Sequence, residues 1–195
     1  MEDNNTNLIE IPKVFHSFSS EKPFDHCIEC DKYLLGDDSE YFIEKAIKNY
    51  KGFKAQDVIF EYAICLPCAE KLRKQISKES MQSIEQYFAN NIDLPSRMEI
   101  MQNNPGTPEA WMETCMLKGE SQKESEEYQI YAHCKGNQME LDHMPYMICG
   151  AALDEIAELL SEQTRDELDN FLKNHFGPPP ELKELLPSKR RLVLV

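Results

Sequence analysis

Two pairs of cysteines with the same spacing are the residues of this sequence best suited to chemistry. Two residues separate Cys27 from Cys30, and two separate Cys65 from Cys68, with 34 residues between the pairs. Two intervening residues let a tight turn direct both thiolates at one ion, and two such turns complete the tetrahedral four-sulfur shell that zinc accepts. The spacing therefore predicts one structural zinc ion, Zn²⁺, bound by all four cysteines.

The two pairs occur in different local patterns. Cys27 and Cys30 lie in a polar, turn-rich segment, whereas the second pair follows an apolar run at 58–64 and precedes apolar residues at helical spacing. A knuckle, a hairpin and a helix whose first turn supplies the last two ligands resembles the treble-clef class of zinc-binding units. The resemblance covers roughly residues 24–88 and rests on the four cysteines and their context, so it implies a class of site and no specific family. Units of this class bind proteins or nucleic acids, and some are nucleases.

Basic residues follow the second pair along the same helix. A zinc ion with four thiolates carries a net charge of about −2, which Lys71, Arg73 and Lys74, with Lys78 further on, are placed to balance. Nearby cations and the positive end of a helix also lower thiol pKa values. The other interpretations are a solvated basic face and, for the cysteines, buried structural thiols or a redox pair.

A second segment repeats the pattern 84 positions later. Residues 61–88 align without a gap on residues 145–172, and the alignment preserves apolar positions and small hydroxyl residues. The matched pairs are Tyr62 with Tyr146, Ile64 with Ile148, Cys65 with Cys149, Leu72 with Ile156, Ser77 with Ser161, Ser80 with Thr164, Ile84 with Leu168 and Tyr87 with Phe171. The match predicts an internal duplication. Chance similarity between two amphipathic helices is the alternative.

The second segment lacks a full set of metal ligands. Continued upstream, the alignment places Cys115, Lys118, Cys149 and Ala152 where the first segment has four cysteines. Two thiolates, an ammonium and a methyl group do not make a zinc shell, so we expect one metal in the chain. A rival hypothesis assembles a second site of mixed ligands from Cys115, His133, Cys134, His143 and Cys149.

These patterns predict an α+β protein of two tandem treble-clef-like lobes, each a short hairpin with helices. The predicted parts are an N-terminal arm (1–20), a zinc-binding lobe (21–89), a connector (90–110), a degenerate second lobe (111–177) and a Pro-rich turn with a C-terminal tail (178–195). In the second lobe, Thr164 and Glu167 fit a capping box that would start a new helix, with Ser161 as an alternative cap one turn earlier. The tail is predicted either to add an edge strand or to dock on a partner.

Composition limits the functional classes. The formal charge is −14 with 41% apolar residues, and no stretch approaches the 18 apolar residues of a membrane span. We therefore expect a cytoplasmic protein, with no membrane partner and with nucleic acid disfavoured by its charge. A closed four-cysteine site offers no open position for catalysis, and no catalytic motif accompanies it. The sequence favours an adaptor or regulatory protein that binds a protein partner over a nucleic-acid-associated regulator or a metal-dependent hydrolase or nuclease. From the charge alone, a basic partner is expected.

Overall fold

A computed structural model describes residues 7–177 and 192–193. The described segments contain six strands, six α-helices and one turn of 3-10 helix at Lys13–Phe15. The strands are β1 (Leu8–Glu10), β2 (Glu40–Asn49), β3 (Gln56–Cys65), β4 (Glu127–Lys135), β5 (Gln138–Glu140) and β6 (Tyr146–Cys149). The helices are α1 (Leu66–Arg73), α2 (Lys78–Asn91), α3 (Leu94–Asn103), α4 (Pro108–Trp111), α5 (Gly150–Leu159) and α6 (Glu162–Phe176).

One antiparallel sheet contains all six strands. Its order is β1-β5-β4-β2-β3, and β6 also pairs with β4. The mixed α and β content predicted from the sequence is confirmed, but the strands of both predicted lobes join in this one sheet. The first hairpin, β2 with β3, has two strands of ten residues each and is longer than the short hairpin expected.

The pairing of β2 with β4 is symmetric about one residue pair. Glu44 lies opposite Tyr131 at the centre of the pairing. Three residues away on either side, Tyr41 pairs with Cys134 and Ile47 with Tyr128. A two-fold rotation through the centre would exchange the two strands.

The outer strands follow the same symmetry. Tyr41 of β2 pairs with Cys65, the last residue of β3, and Tyr128 of β4 pairs with Cys149, the last residue of β6. Each of these cysteines is the N-cap of the helix that follows, α1 or α5. The sheet thus holds two strand–cysteine–helix units in equivalent positions.

The next helix of each half packs on the other half. In α6, the ring centroids of Phe171 and Phe176 lie 5.3 and 6.0 Å from that of Tyr62 on β3. In α2, the Tyr87 hydroxyl donates a 2.5 Å hydrogen bond to Glu155 on α5. Because the helices cross over, neither half has a core independent of the other.

Four hydroxyl side chains join the two crossing helices at their first turns. Ser77 caps α2 and Ser161 caps α6, so the cap one turn before Thr164 is the correct one and the capping-box start is wrong. The Ser77 N–H donates to Thr164 Oγ1 (3.0 Å), and the Ser161 N–H donates to the Ser80 hydroxyl (2.9 Å). Ser80 and Thr164 are fully buried. The two-fold relation that exchanges β2 with β4 also exchanges these two hydrogen bonds.

The remaining parts of the chain differ in several respects from the sequence predictions. The arm contributes β1 at the far edge of the sheet and buries Ile11 and Phe15, whereas Phe18 is exposed. The buried Lys45 secures the arm, because its ammonium donates to the His16 carbonyl at 2.7 Å. The connector forms helices α3 and α4. The predictions for residues 1–6, 178–191 and 194–195 lie outside the described residues.

We predict that Ser80→Ala destabilises the fold by about 1–2 kcal/mol, because the partly buried Ser161 N–H loses the fully buried Ser80 hydroxyl as its acceptor. Ser83→Ala, on the same helix but outside the hydroxyl junction, is the matched control and should change stability by less than about 0.5 kcal/mol. Denaturant unfolding of the three proteins measures this. Equal effects of the two substitutions would show that the junction is not a specific contact.

Candidate metal centre

The first cysteine pair lies in a tight turn held by its own backbone. The Cys27 N–H donates to the Lys32 carbonyl, and the Asp31 N–H donates to the Cys27 carbonyl, both at 2.9 Å. Asp31 has a φ of 57°, a left-handed conformation that Asp tolerates better than most residues. The turn docks on β3 through the Ile28 N–H, which donates to the Ala63 carbonyl.

The second cysteine pair is placed by the junction of β3 and α1. Cys65 ends the strand as the helix N-cap, Leu66 and Pro67 follow, and Cys68 lies in the first helical turn. Pro is favourable there because the first N–H groups of a helix have no intrahelical acceptor. The Cys65 N–H donates to Cys27 Sγ at 3.3 Å, which links the turn directly to the strand.

The four sulfur atoms converge. All lie within 4.8 Å of one another, and Cys30 Sγ is 3.7 Å from Cys65 Sγ. Sulfurs bound tetrahedrally at a zinc–sulfur distance of about 2.3 Å are separated by about 3.8 Å. Cys27 and Cys65 are buried, while Cys30 is exposed. The four predicted ligands therefore form a cluster that can hold a metal ion.

The surroundings of the cluster shift the pKa values of its thiols in different directions. Burial raises the pKa of Cys27, but backbone N–H groups of Cys65, Cys30 and Glu29 outweigh it and leave the pKa below its ordinary value. Burial raises the pKa of Cys65 and of Cys68. A bound cation would favour the thiolate at every position, because metal ligands must be deprotonated.

The equivalent position in the second half repeats the turn without the ligand set. The Cys115 N–H donates to the Glu120 carbonyl at 2.7 Å, and the Gly119 N–H donates to the Cys115 carbonyl at 2.8 Å. Gly119 has a φ of 66°, like Asp31 in the first turn. The Cys149 N–H donates to Cys115 Sγ at 3.2 Å, as Cys65 does to Cys27.

At this second position, Cys115 and Cys149 form a hydrogen-bonded thiol pair, with Lys118 nearby. The Cys149 thiol donates to Cys115 and, against the effect of burial, lowers the Cys115 pKa to about 6. The same hydrogen bond, with burial, raises the pKa of Cys149. The Lys118 ammonium lies 2.5 Å from Glu155 Oε1, and that carboxylate raises the Lys118 pKa. Hydrogen bonds within the chain thus stabilise the Cys115 thiolate, and Lys118 is paired with Glu155.

Of the rival set of mixed ligands, Cys115 and Cys149 are in contact, but they form no metal-binding group with His133, Cys134 or His143 among the described residues. His133 lies between two carboxylates, with Nε2 3.1 Å from Glu40 and Nδ1 3.1 Å from Glu140. Cys134 is buried, which raises its pKa to about 12, and His143 is exposed beside Asp142. The oxygen and nitrogen atoms of Glu40, His133 and Glu140 also lie within 4.8 Å of one another. Sequence reasoning missed this group because its members come from three strands, and only the sheet register reveals them.

The basic residues after the second pair are all exposed. Lys71 lines a small cavity together with Cys68, whereas Arg73 lines a separate apolar groove. Their predicted role in balancing the charge of a metal site stays a prediction.

Comparisons of the chain with models of protein families, with curated proteins and with solved structures found no match. Within the described residues, no helix has the length and apolar character needed to cross a membrane.

We predict unequal effects of substituting the two buried, equivalent cysteines. Cys65→Ser should lower the free energy of unfolding by more than about 3 kcal/mol, because an incomplete shell loses the folding energy that metal binding supplies. Cys149→Ser should cost about 1–2 kcal/mol, the range of one buried hydrogen bond. Denaturant unfolding in the presence of equimolar zinc measures both.

Cys30→Ser serves as a second test of the same asymmetry, because Cys30 is exposed and its replacement leaves the core intact. It should lower the affinity for metal and stability together, whereas Lys118→Ser, at the equivalent position, should leave the metal content unchanged. Similar losses in all four variants would argue against a single metal centre.

Proposed function

We propose that this protein is a zinc-stabilised interaction protein whose two halves arose by duplication of a treble-clef-like unit, with a structural zinc ion in the first half only. The observation that carries the proposal is the convergence of the four cysteine sulfurs. Zinc bound by four protein ligands keeps no position for water or substrate, which is typical of structural sites. Cys27, Cys30, Cys65 and Cys68 would bind the ion and join the knuckle to β3 and α1.

The matched backbone bonds of the two cysteine turns and the symmetric register of β2 and β4 support the duplication. Two sequences that resembled each other only as amphipathic helices would not be expected to share these bonds. The second half would then be a copy in which Lys118 and Ala152 replaced two ligands. The fold tolerates the replacement because the turn keeps its own hydrogen bonds.

A binding role fits the residues better than catalysis. The four hydroxyls of Ser77, Ser80, Ser161 and Thr164 bond to one another and to the backbone, so these residues serve as helix caps. His26, beside the metal ligands, lies 3.0 Å from Asp25 at an exposed position. Neither group makes a nucleophile activated by a base.

The acidic charge supports a basic protein as the partner. Acidic side chains line an open cavity of about 400 Å³ at the first turns of α5, and those on it are Glu120, Glu124, Glu126, Glu127 and Asp154. Lys51 also lies on this lining, so the surface is predominantly acidic. A predominantly acidic concave surface raises the association rate of a basic partner. We place the basic partner at this acidic cavity.

The test is affinity capture from the native cell with the metal-loaded protein as bait. We expect basic proteins to bind at low salt and to dissociate at about 1 M salt, where the Debye length falls to about 3 Å. Glu120→Lys combined with Glu124→Lys should abolish capture. Glu99→Lys combined with Glu109→Lys makes the same change of charge elsewhere on the surface and should leave capture unchanged.

Capture that is equally reduced by both double variants would show that only net charge matters, and it would contradict a defined site. Recovery of nucleic acid in place of protein, or retention of the bait on heparin, would instead favour the nucleic-acid-associated regulator.

A further inference from the structure

An open groove lies between α2 and the face of the sheet. Its volume is about 400 Å³, within the range of sites that bind small ligands or side chains. The groove is lined by Phe42, Arg73, Ile76, Met81, Ile84, Glu85, Phe88, Tyr131, Met144 and Tyr146. The surface is mainly apolar, with one cation and one anion on its lining.

The two-fold relation relates this groove to a second cavity, which lies between α5 and α6 beside Leu192. The offset of 84 positions pairs five residues of the groove with residues of the second half. The pairs are Arg73 with Ala157, Ile76 with Leu160, Met81 with Arg165, Ile84 with Leu168 and Glu85 with Asp169. All five of the second-half residues line the second cavity. The helix side of the groove and the helix side of the cavity are therefore equivalent parts of the two halves.

The second cavity is partly filled by the chain itself. Leu192 lines it, and Leu192 and Val193 are 6% and 1% exposed. The Gln129 side-chain amide donates a 2.8 Å hydrogen bond to the Leu192 carbonyl. Only about 140 Å³ remains open there, against about 400 Å³ in the groove. An aliphatic peptide held by its main chain thus occupies one of two equivalent positions.

The groove differs from the filled cavity in its polar groups. Phe42 is the first-half equivalent of Gln129. The groove therefore has no side-chain amide at the position from which Gln129 donates to the Leu192 carbonyl. Arg73 replaces Ala157 and brings a guanidinium donor to the lining, while Glu85 replaces Asp169 and keeps an acceptor. A donor and an acceptor beside an apolar surface are what an extended peptide requires for its carbonyl and N–H groups.

We propose that the groove between α2 and the sheet binds a short, extended aliphatic segment of a partner protein, with its side chains against Ile84 and Tyr131 and a main-chain carbonyl on Arg73. The proposal rests on the interaction function proposed above and adds a second contact, separate from the acidic cavity. A second copy of this chain does not supply the segment, because Leu192 and Val193 are already buried within their own chain.

The test measures binding of a fluorescent pentapeptide, Arg-Leu-Val-Leu-Val with a blocked C-terminus, to the full metal-loaded chain by fluorescence anisotropy. A peptide with Asp in place of both leucines is the control probe. We expect saturable binding of the first peptide and none of the second. Ile84→Gln should weaken binding about tenfold, as expected for one lost apolar side-chain contact of about 1.4 kcal/mol.

Arg73→Ala keeps the test sharp if Ile84→Gln affects folding, because Arg73 is exposed. It should weaken binding about threefold to tenfold without changing the unfolding transition, which is within the net range of one ordinary hydrogen bond. Gln86→Ala changes an exposed residue of α2, the helix that carries Ile84. This variant should bind the peptide as tightly as the parent protein.

Absence of saturable binding, or binding that Ile84→Gln and Arg73→Ala leave unchanged, would overturn the proposal. So would a fatty-acid probe that fills the groove while the peptide does not, or a dimer in sedimentation that Ile84→Gln dissociates. These failures are distinct from failure of the proposed function, since capture of a basic partner through Glu120 and Glu124 does not depend on the groove.

Discussion

The antiparallel pairing of β2 with β4 is the constraint on which the rest of the structure depends. Because Glu44 lies opposite Tyr131 at the centre of this pairing, the strand–cysteine–helix unit of the first half has an equivalent in the second half. Glu44 is fully buried, and the Tyr62 hydroxyl donates to its carboxylate at 2.7 Å. A shift of one residue would turn the inward side chains of β2 to the opposite face. The register thus sets the positions of both cysteine turns and both crossing helices.

The symmetric frame contains two pairs of equivalent positions that are occupied differently. At the cysteine turns, the second half satisfies its thiols internally with Lys118, Glu155 and a thiol hydrogen bond, whereas the first half brings together four thiols that suit a metal. At the helix grooves, the second half receives Leu192 and Val193, whereas the first half is open. On our proposals, each position that the chain does not fill is a binding site, one for zinc and one for a peptide.

Much of the local structure could be predicted from the sequence. Spacing alone identified the four-cysteine cluster, and the offset of 84 positions paired Ser77 with Ser161 and Cys65 with Cys149 before their positions were known. These predictions succeed because turn geometry and helix caps depend on neighbouring residues. The single sheet, the crossing of α2 and α6, and the group of Glu40, His133 and Glu140 could not be predicted, because each depends on contacts between segments distant in the sequence.

Zinc K-edge X-ray absorption, combined with metal analysis of the purified protein, tests the central claim most directly. A symmetric frame with one closed metal centre predicts one zinc ion per chain and a shell of four sulfur atoms at about 2.3 Å. A chain without bound metal would contradict the zinc centre. Two zinc ions per chain, or a shell containing nitrogen or oxygen, would contradict the assignment of the ion to Cys27, Cys30, Cys65 and Cys68 alone.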